Sequence, residues 1–275
     1  MSQQAVSVES HASGAAQEFY RESLRVLKDT QIPFLVGGAF ALEVYTGVSR
    51  HTKDLDVFVR PNDVERLLLV LTQAGYRTEL RFPHWLAKAY KDEHFVDLIF
   101  GSGNGICTVD DGWFDHGYPA EVVGVPVVLT PPEEMIWSKA FIMERERYDG
   151  ADIAHLFRAQ SKSLDWSRLL YRFNGHWRVL FSHLILFGFI YPSQRLQIPS
   201  WIMEELIRRL RLEMHSAPSD DKLCQGTLLS WSQYLIHTED GEYEDARHRP
   251  RGTLSSQETT YITNRMTEDQ EKKAS

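Results

Sequence analysis

Residues 54–59 read Asp-Leu-Asp-Val-Phe-Val, a β-rich run closed by Pro61. Successive side chains of a strand point to opposite faces. Asp54 and Asp56 therefore project to one side, with Cα atoms roughly 6 to 7 Å apart. A carboxylate pair at this spacing can share divalent ions. Two hard cations about 3.5 to 4 Å apart stabilise both the attacking and the leaving oxygen of a phosphoryl transfer. Mg²⁺ in a two-ion site is the expected occupant. For a lone Asp-x-Asp the plain alternative is a solvated strand edge.

The neighbouring sequence supplies a complement. Pro33 forces an extended approach to Phe34-Leu35-Val36, and Gly37-Gly38 ends that strand before a helix over 39–45 that stops at Gly47. Backbone free of side chains at Gly37 and Gly38, just ahead of a helix N-terminus, can approach a phosphate; an ordinary strand-to-helix turn reads the same way. A triphosphate held on such a turn needs metal near its α- and β-phosphates, which a following strand with two Asp provides. Asp97 is the third acid. It lies in the apolar run 94–100 (His-Phe-Val-Asp-Leu-Ile-Phe), where an isolated carboxylate would cost several kcal/mol unless paired or metal-bound. Beside the first strand it completes a three-carboxylate site and can accept a proton from an attacking hydroxyl; at a strand end it would bond to backbone or a nearby Lys.

Elsewhere in this half, helical spacing of Phe19, Leu24 and Leu27 predicts a helix over 18–28. Asn62 can cap a helix over 64–74, and further strands are expected at 76–80, 85–90 (or a helix there) and 94–100. A hairpin of 121–123 with 125–129 turns at Gly124. From Thr130-Pro131-Pro132-Glu133 onward the pattern turns helical, over 133–147, 151–160, 166–173, 176–190, 199–214 and 222–237. The aromatic residues between Trp166 and Phe189 read as core.

The balance of 30 basic against 38 acidic residues, net −8, argues against a protein that coats nucleic acid through its phosphates; the run Arg247-His248-Arg249-Pro250-Arg251, flanked by acids and followed by Gly252, reads as solvated linker, with contact to an acidic acceptor such as RNA as the alternative. With 43% hydrophobic residues, a wholly disordered chain is excluded. The apolar run 179–191 is too short for a bilayer, which needs about 20 residues, so no membrane association is expected. Two cysteines, Cys107 and Cys224, form neither a disulfide framework nor a CxxC pair, which points to a reducing cytoplasm. The glycine-rich 101–105 matches neither phosphate-loop nor dinucleotide fingerprints, and no zinc or hydrolase motif is present.

Gly37-Gly38, then Gly47-Val48-Ser49-Arg50 with Thr52-Lys53-Asp54-Leu55-Asp56-Val57-Phe58, then Val96-Asp97-Leu98, resemble the DNA polymerase β-type nucleotidyltransferase superfamily. Within it the likeness is to small bacterial nucleotidyltransferases that include AbiEii-like toxins and aminoglycoside and lincosamide nucleotidyltransferases, and it extends from Phe34 to Asp152. The resemblance implies an α+β fold, a nucleotidyltransferase-type mixed sheet flanked by helices followed by an all-helical C-terminal region. It assigns Gly37 and Gly38 to nucleotide phosphates, and Asp54, Asp56 and Asp97 to the metal and to catalysis. Lys139 matches a triphosphate-binding lysine, and 145–152 resembles an Arg-Asp-rich segment in which Asp152 assists. Gly-Gly stands where Gly-Ser is commoner, and Tyr148 intervenes where Arg often precedes Asp directly. Arg50, beside Ser49, can reach a phosphate; Asp149 and Asp152 can instead cap the next helix. The expected layout is a disordered leader over 1–17, a nucleotidyltransferase domain over 18–130, a helical domain over 131–237 and a polar tail, loose or docked, over 238–275. The expected activity moves NMP from an NTP such as ATP to an acceptor hydroxyl, on a small molecule, a tRNA end or a protein. A non-catalytic nucleotide-binding or antitoxin-like module of the same fold is the alternative.

Overall fold

A computed structural model describes residues 7–8, 14–50, 52–248 and 253–274. In chain order its elements are β1 (Ser7–Val8), α1 (Gly14–Asp29), β2 (Leu35–Val36), α2 (Gly38–Thr46), β3 (Asp54–Phe58), α3 (Val64–Gln73), β4 (Arg77–Phe82), β5 (Leu86–Lys91) and β6 (His94–Ile99). There follow α4 (Asp111–Asp115), β7 (Tyr118–Val122), β8 (Val125–Leu129), α5 (Pro132–Ala140), α6 (Gly150–Gln160), α7 (Trp166–Phe173), α8 (Trp177–Ile190) and α9 (Ser200–Met214). The chain ends in β9 (Leu223–Cys224), α10 (Trp231–Tyr234), α11 (Ile236–Glu239), β10 (Glu244–Asp245) and α12 (Ser256–Ala274). An eight-stranded mixed sheet in the order β1-β7-β8-β2-β3-β6-β5-β4 carries the first half. The expected α+β architecture is therefore present. No helix among the described residues is long and apolar enough to cross a membrane.

Strand alternation sorts the sheet into an apolar and a polar face. Leu55, Val57, Ala87, Ala89, Val96 and Leu98 are fully buried and join Tyr20, Leu24 and Leu27 of α1 and Leu67 and Leu71 of α3 in one core. Asp54, Asp56 and Asp97 stand on the opposite face. The same core cluster runs without a break into Leu156, Phe157, Leu169, Phe173 and Phe187 of the helical half, so the apolar interior does not divide at residue 130.

Several expectations need correction. Within the leader, Ser7–Val8 pairs in parallel with β7 and α1 begins at Gly14; residues 1–6 and 9–13 lie outside the described residues. The helix expected to reach 147 stops at Ala140, and the chain folds back through a bridge between Met143 and Tyr148. The helix expected over 222–237 is instead β9 and short helices, with β9 paired to β10. For the tail, expected loose or docked, contacts with the sheet are present: Ile262 of α12 packs with Phe82, Leu86 and Leu254, and Arg265 pairs with Glu79 at 2.8 Å. Arg247, expected as part of a solvated linker or an RNA contact, is 1% exposed and held by Asp245 at 2.6 Å, while Arg249, Pro250 and Arg251 lie outside the described residues.

An ionic clasp ties α5 and α7 to the loop ahead of α4. Glu134 on α5 is fully buried, accepts from Arg172 Nε at 2.9 Å and pairs with Arg168; Arg172 continues to Asp110, ahead of α4, at 2.6 and 2.8 Å. Burial raises the Glu134 pKa above its ordinary value against the pull of both arginines. Removing one partner of a buried ionic cluster leaves the others uncompensated. Glu134→Ala is therefore expected to lower stability by about 3 kcal/mol. Urea unfolding is the check, and a change within about 0.5 kcal/mol would show that the clasp is not holding the halves together.

Candidate active site

Two registers build the site. β3 and β6 run parallel with Asp56 opposite Asp97, and β2 runs antiparallel to β3 with Val36 opposite Val57. Oxygen atoms of Asp54, Asp56 and Asp97 all lie within 4.8 Å of one another. The strand after Pro33 thus delivers the glycine turn to one side of β3, and β6 delivers the third acid to the other.

The turn is fitted to the acid. Gly37 N–H donates to the Asp56 carbonyl at 3.0 Å, and Gly38 sits at φ +55°, a conformation that favours glycine. A Cβ on Gly38 would lie 1.8 Å from Asp56 Oδ2, and one on Gly37 would lie 2.3 Å from the Phe58 ring. Two bare residues are thus required for α2 to start this close to the carboxylates. No described side chain caps α2, and its first turn holds no acid, so its first amides keep their donors for an anion.

Electrostatics reflects the crowding. Burial, then the charges of Asp54 and Asp97, push the Asp56 carboxyl up to about 7. Burial also raises Asp97, against Lys88, whose Nζ donates to Asp97 Oδ1 at 2.6 Å. Thr52 Oγ1 donates to Asp54 Oδ1 at 2.6 Å. Lys88 was not legible as a site residue: it stands opposite Asp97 only through the antiparallel register of β5 with β6. The alternating pattern of Leu-Ala-Lys-Ala-Tyr-Lys is the one sequence signal for a lysine on the acidic face.

Behind the acids lies a second cluster. Lys139 Nζ is buried between Asp149 Oδ2 at 2.8 Å and Asp152 Oδ2 at 2.9 Å, and these carboxylates hold its pKa above the ordinary value although burial opposes the charge. Arg147 donates to both Asp149 oxygens at 3.1 and 3.0 Å, and Arg50 pairs with Asp152 Oδ1 at 2.5 Å. Neither Asp149 nor Asp152 caps α6 with its side chain, contrary to the capping alternative, because both are turned onto Lys139. Lys139 and Arg147 nonetheless act on Asp56, favouring its ionised form. Ser49 Oγ is buried with no partner among the described residues.

Residues 9–186 match the family model described as an uncharacterised nucleotidyltransferase. The chain belongs to this nucleotidyltransferase family. It is a transferase by that membership. No curated protein sequence matches it. Among solved structures it is similar to the antibiotic-resistance factor ANT(2″)-Ia at 16% identity and a TM-score of 0.44, over 62% of this chain and 98% of that one. It is also similar to the lincosamide antibiotic adenylyltransferase LnuA, at 14% identity and a TM-score of 0.38, over 53% and 96% of the two chains. A third similar structure, the Megavirus polyadenylate synthase, has 14% identity and a TM-score of 0.38, over 56% of this chain and 34% of that one.

The raised Asp56 pKa sets a pH dependence. The native carboxyl keeps its proton to about 7, whereas an unfolded one releases it near the ordinary 3.8. The native state thus binds more protons between those values, and its stability falls as pH rises through that window. Metal-free protein is expected to lose melting temperature from about pH 4 to about pH 7, and Asp56→Asn to flatten the profile. Added Mg²⁺ is expected to raise the melting temperature more near pH 8 than near pH 5, because the ion needs the ionised carboxylate. Equal Mg²⁺ shifts at both pH values would contradict this.

Proposed function

We propose that the chain transfers a nucleoside monophosphate from an NTP to an acceptor hydroxyl and releases pyrophosphate, using Asp54, Asp56 and Asp97 around divalent metal. The observation that carries this reading is the convergence of three carboxylates within 4.8 Å against a turn whose two glycines leave no room for a Cβ. The donor set fits Mg²⁺: all ligands are hard oxygens, and the charge that crowds Asp56 is the charge a cation relieves. Bound there, Mg²⁺ would neutralise phosphate charge and act as a Lewis acid toward the α-phosphoryl group.

The chain's own residues do the rest. The open amides at the start of α2, with Gly37 and Gly38, hold the triphosphate. Lys139 and Arg147 supply positive potential on the same side, and Arg50, half-exposed, presents donors beside Ser49. The acceptor oxygen forms a bond to the α-phosphorus as the bond to the bridging oxygen breaks, and pyrophosphate leaves with that electron pair. Asp97 takes the hydroxyl proton. Lys88 holds Asp97 in place. Catalysis is then mostly positioning and charge stabilisation.

Purified protein incubated with NTPs labelled at the α-phosphate, Mg²⁺ and either total RNA or a metabolite extract is the test. Label is expected to move to an acceptor, and Asp54→Asn or Asp56→Asn to slow transfer at least about a hundredfold. Transfer by either variant at the parental rate would remove the assignment.

A further inference from the structure

Register divides the acid-bearing face of the sheet into three rows that cross β3, β6, β5 and β4. One row is Phe58, Ile99, Leu86 and Phe82, and Ile262 and Leu254 of the docked tail cover its outer end. The middle row is Asp56, Asp97, Lys88 and Glu79, with Arg265 of α12 on Glu79. The remaining row is Asp54, Phe95, Tyr90 and Arg77. Here Phe95 and Tyr90 are half-exposed, belong to neither apolar cluster of the described residues, and set their rings 5.8 Å apart. The Arg77 guanidinium lies 4.0 Å over the Tyr90 ring and Lys88 Nζ 4.1 Å over that of Phe95.

This row adjoins the acids on the flank away from the glycine turn. Triphosphate on the β2 side of β3 leaves the β6 and β5 side for the group that attacks. Arg77 is exposed and meets no carboxylate in an ion pair among the described residues, while Glu79, the nearby acid, is engaged by Arg81 and Arg265. Paired rings beside an exposed guanidinium that forms no ion pair among the described residues suit a planar, anionic ligand. Bases stack on aromatic rings and on guanidinium planes whatever their sequence, and the adjoining phosphates take the positive charge.

Resting on the transferase reading above, we infer that Phe95, Tyr90 and Arg77 are the acceptor platform and that the acceptor is the 3′-hydroxyl end of a single-stranded polynucleotide. Its last bases lie on the two rings, Arg77 meets the phosphate between them, and the terminal hydroxyl reaches the acids. Stacking and the phosphate contact do not depend on a 2′-hydroxyl, so RNA and DNA ends share this chemistry.

The test is fluorescence anisotropy with short single-stranded RNA and DNA, 5′-labelled and with free 3′-hydroxyls, on the full chain without metal or NTP. At least one strand is expected to bind. Phe95→Ala and Tyr90→Ala should each weaken it roughly tenfold, and Phe95→Tyr should retain it. Arg77→Ala should weaken binding and reduce the salt slope by about one phosphate. Parental melting temperatures in these variants would show that the loss is not unfolding. Failure of both strands to bind, or undiminished binding by the two alanine variants, overturns the platform. Parallel assays with NTP labelled at the α-phosphate and Mg²⁺ separate the two ideas. Transfer to an aminoglycoside or another small molecule, unaffected by Phe95→Ala, overturns the platform and leaves the transferase reading standing. Strand binding on the row without transfer to any acceptor supports the platform's contacts and overturns the transferase reading.

Discussion

Three carboxylates held on one face of a sheet repel one another, and the rest of the structure is arranged around that repulsion. At a separation near that of these oxygens, two like charges in an effective dielectric of about 20 oppose each other by on the order of 3 kcal/mol. The sheet cannot relax this by moving one strand, because shifting β6 by a residue would turn Asp97 into the apolar core and Val96 or Leu98 out of it. Register therefore enforces the crowding, which adds to burial, the larger cause, in pushing the Asp56 carboxyl up to about 7. A carboxylate so placed holds its proton more tightly than a free one.

Relief comes from specific partners. Lys88 lies opposite Asp97 across the strand pair, Thr52 hydrogen-bonds to Asp54, and Lys139 with Arg147 contributes positive field from the helical half. Those last two are themselves fixed by Asp149 and Asp152, so the fold-back after α5 and the start of α6 belong to the site as much as the sheet does. The Glu134 clasp to Arg168 and Arg172 keeps α5 and α7 together and reaches the loop ahead of α4 through Asp110. The site thus draws on both halves of the chain.

Much of this was legible in the residues. The shared face of Asp54 and Asp56 and the glycine turn ahead of a helix were readable, since period-two patterning and a side-chain-free turn act locally. What escaped the sequence depended on long-range register. Lys88 meets Asp97 only because β5 folds back on β6, and Lys139 is enclosed by two acids only because α5 ends at Ala140 and the chain returns. The segment 222–237 has helical spacing, but the Tyr234 ring lies 2.3 Å from where a Cβ of Gly226 would be, and Leu223–Cys224 pairs with Glu244–Asp245. Arg247 reads as a solvated charge until Asp245, two residues earlier, is seen to bury it.

The central claim is that the three acids and the glycine turn hold metal and triphosphate together. A crystal of the chain grown with Mn²⁺ and a non-hydrolysable NTP analogue tests it most directly through anomalous scattering. The account predicts manganese peaks among the oxygens of Asp54, Asp56 and Asp97, with the analogue's phosphates over Gly37 and Gly38. Manganese and phosphates bound elsewhere, with those carboxylates left unligated, would contradict it.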